Sequence, residues 1–249
     1  MQKTGIEWTD YTSNPVRGYC PMACPYCYSR KIYDRFKWDK TIRFSPGELD
    51  KWDKAKPGSK IFVGSMIELF GDWVDESWLR EIFRHVELYP YLTFQFLTKQ
   101  PQNLAVFSPF PDNCWVGATA TNAKMAEEAG FWLWEVKATV KFVSFEPLLE
   151  RIAAHFADYI SEDVEGIKWI ILGSQTKPYK PPKIEWVQEI VDAADKAGIP
   201  VFLKDNLKPL LIEDPEYNIY SYPEWAGKQF AVSTGRGTPM RLLRQEMPE

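Results

Sequence analysis

Short apolar runs recur along the chain and alternate with segments of helical periodicity. The runs are rich in β-branched and aromatic residues, and each ends in small or polar residues, which is typical of βα units. An extended segment at 6–16 precedes six such runs, which lie at 60–70, 92–101, 114–122, 140–149, 167–176 and 199–207. The pattern therefore predicts seven strands.

Two of the segments between these runs carry a clear apolar stripe at helical spacing. One covers residues 75–90, where Asp75 is the expected N-cap, and the other covers residues 184–200. Weaker helices are expected at 45–58 and 121–138, where glycine, proline or dense aromatic residues interrupt the period. Strands and helices thus alternate over most of the chain.

The fold class follows from this alternation. Nearly continuous apolar strands separated by helices indicate an α/β protein with a parallel sheet covered by helices, either an open doubly wound sheet or a full or partial barrel. Residues 177–183 are expected to form a proline-rich loop. We predict a core of residues 1–207 and a short irregular C-terminal extension, residues 208–249, packed on that core.

Composition and charge narrow the class of protein. Apolar residues make up 45% of the chain and charged residues 26%, which disfavours the disordered, fibrous and disulfide-scaffold classes. No long apolar run and no targeting segment occurs, so we expect a cytoplasmic protein without membrane association. The net charge of -4 does not favour nonspecific phosphate binding, although an acidic protein can carry a local basic surface.

Polar side chains gather where the predicted strands end, at the edge where parallel α/β folds bind ligands. These side chains are Ser65, Glu68, Thr98, Lys99, Thr119, Thr121, Ser144, Glu146, Ser174, Gln175, Lys204 and Asp205. Their repetition over six strands predicts a binding site at this edge. A Lys204–Glu146 ion pair across the mouth is the structural alternative to substrate contact for these two residues.

Three of the four cysteines, Cys20, Cys24 and Cys27, lie within eight positions in the stretch GYCPMACPYCYSR. In a reducing compartment such spacing favours metal ligands or redox groups over a disulfide framework. A structural zinc site needs four ligands, and the histidines, His85 and His155, are expected to be structural. A 4Fe-4S cluster on three cysteines leaves one iron open to a substrate or cofactor, so this cluster is favoured and zinc is the alternative.

The Cys-x3-Cys-x2-Cys spacing, with Tyr26 before the last cysteine, resembles the signature of the radical S-adenosylmethionine superfamily. The resemblance implies a partial (β/α)6 TIM-like barrel and an oxygen-sensitive enzyme in which the 4Fe-4S cluster binds S-adenosylmethionine. It also implies a one-electron donor such as flavodoxin or ferredoxin. The electron cleaves the cofactor to methionine and a 5′-deoxyadenosyl radical, which abstracts hydrogen from the substrate.

A closer resemblance covers most of the chain. The blocks IEWTDYTSNPV, FVGSM with ELF, TFQFLTKQP, WVGAT, FVSFEPLL and WIILG are similar, in this order, to those of an uncharacterised radical S-adenosylmethionine-like family of bacteria, archaea and phages. The LTKQP block also resembles, faintly, a Thr-Lys pair of the spore photoproduct lyase branch, which acts on DNA. The substrate is therefore unidentified, with nucleic acid or a nucleotide as one candidate.

The superfamily resemblance also implies roles for the strand-end residues. Gly64, Ser65 and Met66 are expected to receive the methionine amino group of the cofactor. The other expected cofactor contacts are Tyr26, Thr119, Thr121, Ser144, Glu146 and Gly173. The expected substrate contacts are Lys99, Gln175, Lys204 and Asp205. The alternative function is a non-enzymatic zinc or iron–sulfur binding interaction module of phage-related origin.

Overall fold

The computed structural model describes residues 1–152, 166–211, 222–233 and 239–248. His155 therefore lies outside the described residues, as does part of the C-terminal extension. The strands are β1 (Gln2–Lys3), β2 (Tyr11–Ser13), β3 (Val16–Arg17), β4 (Arg43–Phe44), β5 (Lys60–Val63), β6 (Thr93–Thr98), β7 (Cys114–Thr119), β8 (Val140–Phe145), β9 (Trp169–Leu172), β10 (Gln175–Thr176), β11 (Tyr179–Lys180), β12 (Val201–Leu203), β13 (Gly227–Ser233) and β14 (Pro239–Leu243).

The α-helices are α1 (Tyr28–Phe36), α2 (Glu76–Glu87), α3 (Ala123–Trp134), α4 (Ile184–Lys196) and α5 (Lys208–Leu211). Short 3₁₀ helices cover Pro46–Lys54, Pro101–Phe107, Asp205–Leu207 and Glu224–Ala226. Helices α2 and α4 confirm the two apolar stripes, and the Asp75 side chain caps α2 by accepting from the Ser77 backbone N–H at 2.8 Å. None of the described helices combines the length and apolar character needed to span a bilayer.

A large, mostly parallel sheet organises the fold. Its strand order is β1-β2-β5-β6-β7-β8-β9-β12, in which the strands from β2 to β12 run parallel and β1 pairs with β2 antiparallel. The seven predicted strands are confirmed, and their order in the sheet follows the order in the chain. Within the described residues the sheet does not close, because β1 and β12 form its two edges.

Both faces of the sheet are apolar. In β5, Ile61 and Val63 belong to the larger core cluster with the helices, whereas Phe62 belongs to a second cluster on the opposite face, as the two-residue period of a strand requires. The second cluster, here called the inner layer, consists of Trp8, Phe62, Val140, Phe142, Trp169, Ile171 and Phe202. Its rings pack at centroid distances such as 4.9 Å for Trp8 and Phe62.

Three expectations about local structure are wrong. The segment expected as a helix at 45–58 forms a 3₁₀ helix, Pro46–Lys54, and not an α-helix. The expected loop at 177–183 contains β11, which pairs with β10. The extension is not irregular throughout, because β13 and β14 form a hairpin in its described part.

Candidate functional site

A cavity of about 280 Å³ opens at the edge of the sheet where the parallel strands end. One wall is the cysteine loop, residues 18–27, and the rest comes from residues at or just beyond the ends of β5, β6, β7, β8, β9 and β12. Trp8 and Phe62 of the inner layer also line it. The cavity therefore joins the two features that the sequence singled out, the three cysteines and the polar strand ends.

The cysteine loop is shaped by its backbone. Gly18 has φ +141°, donates its N–H to the Tyr33 hydroxyl at 2.9 Å, and has no room for a Cβ, which would lie 2.6 Å from the Ile42 Cα. The loop ends in a turn in which the Cys27 N–H donates to the Cys24 carbonyl at 3.0 Å. Cys27 is the N-cap of α1, where the helix dipole favours negative charge.

Cys20 is the most buried of the three loop cysteines. Its Sγ accepts a hydrogen bond from the Glu68 backbone N–H at 3.3 Å, and its carbonyl accepts from Arg30 Nη1 at 2.6 Å. Burial raises the pKa of the Cys20 thiol above its ordinary value. Cys24 and Cys27 are half-buried, and all three thiols are free.

The donor set suits an iron–sulfur cluster in its chemistry, because three free thiols line one cavity. They are not preorganised around one point: no group of three or more His, Cys, Asp or Glu side chains among the described residues is arranged to hold a metal ion. Cys114 lies at the start of β7, away from the cavity, and is fully buried. Neither Cys114 nor His85 lines the cavity, so neither is placed as a fourth ligand.

The segment Gly64, Ser65 and Met66 follows β5 and is fixed to the strand before it. Gly64 has φ +84°, and its N–H donates to the Ser13 carbonyl at 2.9 Å. Asn14 Oδ1 accepts from the Met66 N–H at 3.0 Å, and Asn14 Nδ2 donates to Ser65 Oγ at 3.2 Å. The backbone at the expected amino-group contact is thereby held by the end of β2.

The same segment is also tied to the start of α1. The Tyr28 hydroxyl donates to the Ser65 carbonyl at 2.6 Å, and the Ser29 hydroxyl donates to the Met66 carbonyl at 2.7 Å. These carbonyls are therefore already engaged in hydrogen bonds. The contacts couple the position of the last cysteine, Cys27, to the loop after β5.

Glu68 links the cysteine loop to the end of β6. Its Oε1 accepts from the Thr98 hydroxyl at 2.6 Å and its Oε2 accepts from the Lys99 N–H at 2.7 Å. Lys99 in turn directs its Nζ to Thr119 Oγ1 at 3.4 Å, at the end of β7. Since the Glu68 N–H also bonds to Cys20 Sγ, one residue connects a thiol with two strand ends.

Glu146 and Lys204 form an ion pair between the ends of β8 and β12. The Lys204 Nζ lies 2.6 Å from Glu146 Oε1, while Glu146 Oε2 accepts from Trp8 Nε1 at 3.1 Å and from Ser144 Oγ at 3.0 Å. Burial by itself lowers the pKa of Lys204, but attraction to Glu146 outweighs it, so the pKa of Lys204 is raised. The ion pair that we gave as the structural alternative to substrate contact is therefore present. Both residues also line the cavity.

Most expected site residues line the cavity. They are Cys20, Cys24, Tyr26, Cys27, Gly64, Ser65, Met66, Lys99, Thr119, Ser144, Glu146, Gln175 and Lys204. Gly173 lies directly behind the ion pair, since a Cβ there would be 3.1 Å from Lys204 Cδ and 3.2 Å from Glu146 Cγ. Burial raises the pKa of Tyr26, whose neighbours include Cys24.

Three expected residues do not line the cavity: Gly173, which lies behind the ion pair, Thr121 and Asp205. The Thr121 hydroxyl donates to Sδ of Met125 at 3.4 Å, and Met125 lies in the first turn of α3. Asp205 pairs with Lys208 at 2.8 Å and accepts from Gln245 Nε2 at 3.1 Å. The structure therefore does not bring Thr121 or Asp205 to the cavity wall.

Three positions that organise the site were not among the predicted site residues. Asn14 directly follows β2, so the strand-end rule applied to the first strand would have identified it. Glu68 is among the polar strand-end side chains of the sequence, but the sequence indicates no contact for it. Trp8 precedes β2 by three positions, and nothing in the sequence indicates its hydrogen bond to Glu146.

The chain was compared with known proteins. No curated protein and no solved structure matches it. A protein-family model matches residues 3–208 of the 249, a range that contains the cysteine loop and all seven parallel strands of the large sheet. The chain therefore belongs to the family described as "Protein of unknown function (DUF5131)".

Proposed function

We propose that this chain is a radical S-adenosylmethionine enzyme. In this proposal Cys20, Cys24 and Cys27 hold a 4Fe-4S cluster, and the strand ends hold S-adenosylmethionine beside it. The observation that carries the proposal is the lining of a single cavity by three free thiols and by the polar ends of several parallel strands. The presence of three thiols without a fourth cysteine or a histidine in that lining favours a ligand set that leaves one metal coordination position for a cofactor.

When bound together, the cluster and S-adenosylmethionine supply a one-electron cleavage that gives methionine and a 5′-deoxyadenosyl radical, which takes a hydrogen atom from the substrate. The chain contributes binding and protection. Trp8 and Phe62 form an apolar part of the wall, which excludes water on that side. Thr119 and Ser144 supply hydroxyls for ribose or carboxylate groups.

The Glu146–Lys204 pair gives the far wall a fixed charge arrangement. Because Trp8 and Ser144 already bond to Glu146 Oε2, the carboxylate is held in one orientation and is available for further acceptance from ligand hydroxyls. Lys99 has no carboxylate partner among the described residues, so it supplies positive charge to the cavity. The wall thus offers both acceptors and a cation to a zwitterionic cofactor.

We further propose that the sheet is a partial (β/α)6 barrel. The support is the strand order, in which six parallel strands, β2 and β5 to β9, succeed one another in chain order and β12 follows them, without the reversal of a doubly wound sheet. The inner layer of large aromatic residues then corresponds to the packed interior of a barrel. The proposal includes a cytoplasmic, reducing setting and a one-electron donor such as flavodoxin or ferredoxin.

The test is anaerobic reconstitution with iron and sulfide. The wild-type chain should bind about four irons, show the EPR signal of a reduced cluster, and release 5′-deoxyadenosine from S-adenosylmethionine when dithionite is added. Cys20→Ala, Cys24→Ala and Cys27→Ala should each lose iron and product. Cys114→Ala is the matched control and should retain both, because Cys114 lies outside the cavity.

Two results would contradict the proposal. An iron content in Cys24→Ala equal to that of the wild type would show that Cys24 is not a ligand of the cluster. One equivalent of zinc in the purified chain, with no binding of S-adenosylmethionine by calorimetry, would favour the non-enzymatic zinc-binding module instead.

A further inference from the structure

Two exposed segments flank the mouth of the cavity, and together they are here called the rim. The first is residues 28–38, which cover α1 and the two residues after it, and the second is residues 175–183, which contain β10 and β11. Tyr28 of the first segment and Gln175 of the second both line the cavity. The segments touch, because Lys31 Nζ donates to the Lys177 carbonyl at 3.1 Å.

The rim is locally basic in a chain whose net charge is -4. Residues 175–183 contain three lysines and no acidic residue, and residues 28–38 contain two lysines, two arginines and one aspartate. That aspartate, Asp34, is already neutralised, because it accepts from Lys40 Nζ at 2.6 Å and from the Tyr19 hydroxyl at 2.8 Å. The positive charge of the two segments is therefore not compensated within the rim.

The rim also exposes four aromatic side chains. Tyr28, Phe36, Trp38 and Tyr179 are each between 47% and 57% exposed. Phe36 and Trp38 stack at a centroid distance of 5.9 Å, and the Arg35 guanidinium lies 5.3 Å from the Phe36 ring. The Tyr179 hydroxyl donates to the Asn206 carbonyl at 3.3 Å, which holds its ring beside a residue that lines the cavity.

We propose that the rim binds a single-stranded nucleic acid and presents one nucleotide to the cavity. Cations interleaved with exposed aromatic rings suit a strand that offers phosphates and unstacked bases in alternation. A base within a duplex cannot enter a recessed cavity, so the occupant must be single-stranded or locally unpaired. The inference rests on the proposed function only for the chemistry inside the cavity, because binding to the rim needs neither cluster nor cofactor.

The rings distinguish this occupant from an acidic protein such as an electron carrier. Charge attraction alone would account for the lysines, but it gives no reason for four half-exposed aromatic side chains beside them. Stacking on bases does give a reason, and it does not depend on base sequence. The test must therefore separate the cationic contribution from the aromatic one.

Binding is measured by fluorescence anisotropy with end-labelled DNA and RNA strands of about 20 nucleotides, longer than the site of a typical single-strand binding module. The metal-free full-length chain is titrated at several salt concentrations. The rim variant is Lys31→Gln/Lys177→Gln/Lys180→Gln. Its matched control is Lys56→Gln/Lys137→Gln/Lys196→Gln, three exposed lysines that precede β5, β8 and β12 and so lie at the opposite edge of the sheet.

We expect the rim variant to bind at least tenfold more weakly than the wild type. The plot of log K against log salt should become less steep by about 2, because each of the three lost phosphate contacts contributes roughly 0.7 to the magnitude of its slope. The control variant should match the wild type in both its affinity and its salt dependence. Tyr179→Ala should weaken binding severalfold without changing the slope, and a duplex of the same sequence should compete poorly.

Equal affinity of the rim and control variants would overturn the inference, as would absence of wild-type binding at low salt. Loss of reduction by an acidic flavodoxin in the rim variant, with oligonucleotide binding unchanged, would assign the rim to a protein partner instead. Failure here is distinct from failure of the proposed function. Cleavage of S-adenosylmethionine is assayed without oligonucleotide, and the rim variant should retain it.

Discussion

The four thiols differ in how readily an electrophile reaches them. Cys114 is fully buried and Cys20 is 8% exposed, and burial raises the pKa of both, so little of either is thiolate at neutral pH. Cys24 and Cys27 are half-buried. In metal-free, reduced protein we therefore expect iodoacetamide at pH 8 to modify Cys24 and Cys27 first, Cys20 more slowly, and Cys114 only after unfolding.

Peptide mass spectrometry over a time course measures these rates. Labelling of Cys20 should accelerate as the pH is raised, because its thiolate fraction then increases. In urea all four cysteines should react at similar rates, which serves as the control. Equal labelling of Cys20 and Cys27 in the native protein at pH 8 would contradict the burial described here.

The buried carboxylate of Glu68 has three donors, the Thr98 hydroxyl and the N–H groups of Lys99 and Phe70. In Glu68→Gln an amide NH₂ replaces one of the two acceptor oxygens and so faces an N–H or O–H group that can no longer donate to it. We expect the free energy of unfolding to fall by about 1–3 kcal/mol, as for other buried polar groups that lose a partner. Urea denaturation measures the change.

The matched control is Glu128→Gln on α3. Glu128 is solvent-exposed and pairs with Lys124, at 3.7 Å, one turn earlier on the same helix. Such a pair contributes at most ~0.5 kcal/mol. A loss in Glu68→Gln no larger than that of Glu128→Gln would mean that the three hydrogen bonds contribute little to stability.

At the scale of the elements, the sequence predicted those strands and helices whose buried residues recur at a regular spacing. Six of the seven parallel strands, all except β2, are largely apolar and are visible as short runs, and α2 and α4 show their buried stripes. Helix α1 was not predicted, because only Ser29 and Tyr33 of its nine residues are buried. Its position depends on tertiary contacts such as the Tyr33 hydroxyl with the Gly18 N–H, which no local pattern reveals.

Strand β7 passes close to β8 at Gly117. A Cβ at this position would lie 2.6 Å from the Phe142 ring. That ring is fully buried and packs against Trp8 and Trp169 at 6.4 and 5.4 Å, so it has little freedom to move away. We expect Gly117→Ala to destabilise the protein by about 1–3 kcal/mol through overpacking of the inner layer.

Thermal unfolding followed by circular dichroism measures this effect. Gly5→Ala is the control, because nothing lies within 4 Å of a Cβ there and the backbone does not need glycine. We expect the midpoint of Gly5→Ala to match the wild type or to exceed it slightly. Equal midpoints for Gly117→Ala and Gly5→Ala would show that the inner layer can repack.

At the scale of the whole molecule, the parallel arrangement explains why the site was largely predictable. Parallel strands end at one edge, so polar residues after successive strands converge without any knowledge of their contacts. The direction of each side chain depends on the turn that follows. Thr121 turns back to Met125 and Asp205 turns to Lys208, which the sequence does not indicate. The Trp8 bond to Glu146 spans 138 positions and is equally invisible.

The chain end protects the open edge of the sheet at β12. The Leu203 N–H donates to the Arg244 carbonyl at 2.8 Å, the Glu246 N–H donates to the Val201 carbonyl at 3.0 Å, and Trp169 Nε1 donates to the Glu246 carbonyl at 2.9 Å. Arg244 also pairs with Asp195 on α4 at 2.7 Å. This segment therefore satisfies an edge strand and closes one side of the inner layer.

We expect deletion of residues 244–249 to lower the free energy of unfolding by at least about 3 kcal/mol, roughly one for each of the three hydrogen bonds above, because the deletion also removes the Arg244–Asp195 ion pair. It should also promote self-association, because unpaired groups of β12 become available to a second chain. Urea denaturation and size-exclusion chromatography with light scattering measure the two effects. Deletion of residues 248–249 alone is the control and should change neither, since the bonds described between this segment and β12 or Trp169 come from residues 244–246. If the longer deletion leaves both stability and mass unchanged, the tail is dispensable and the edge of the sheet is protected by other means.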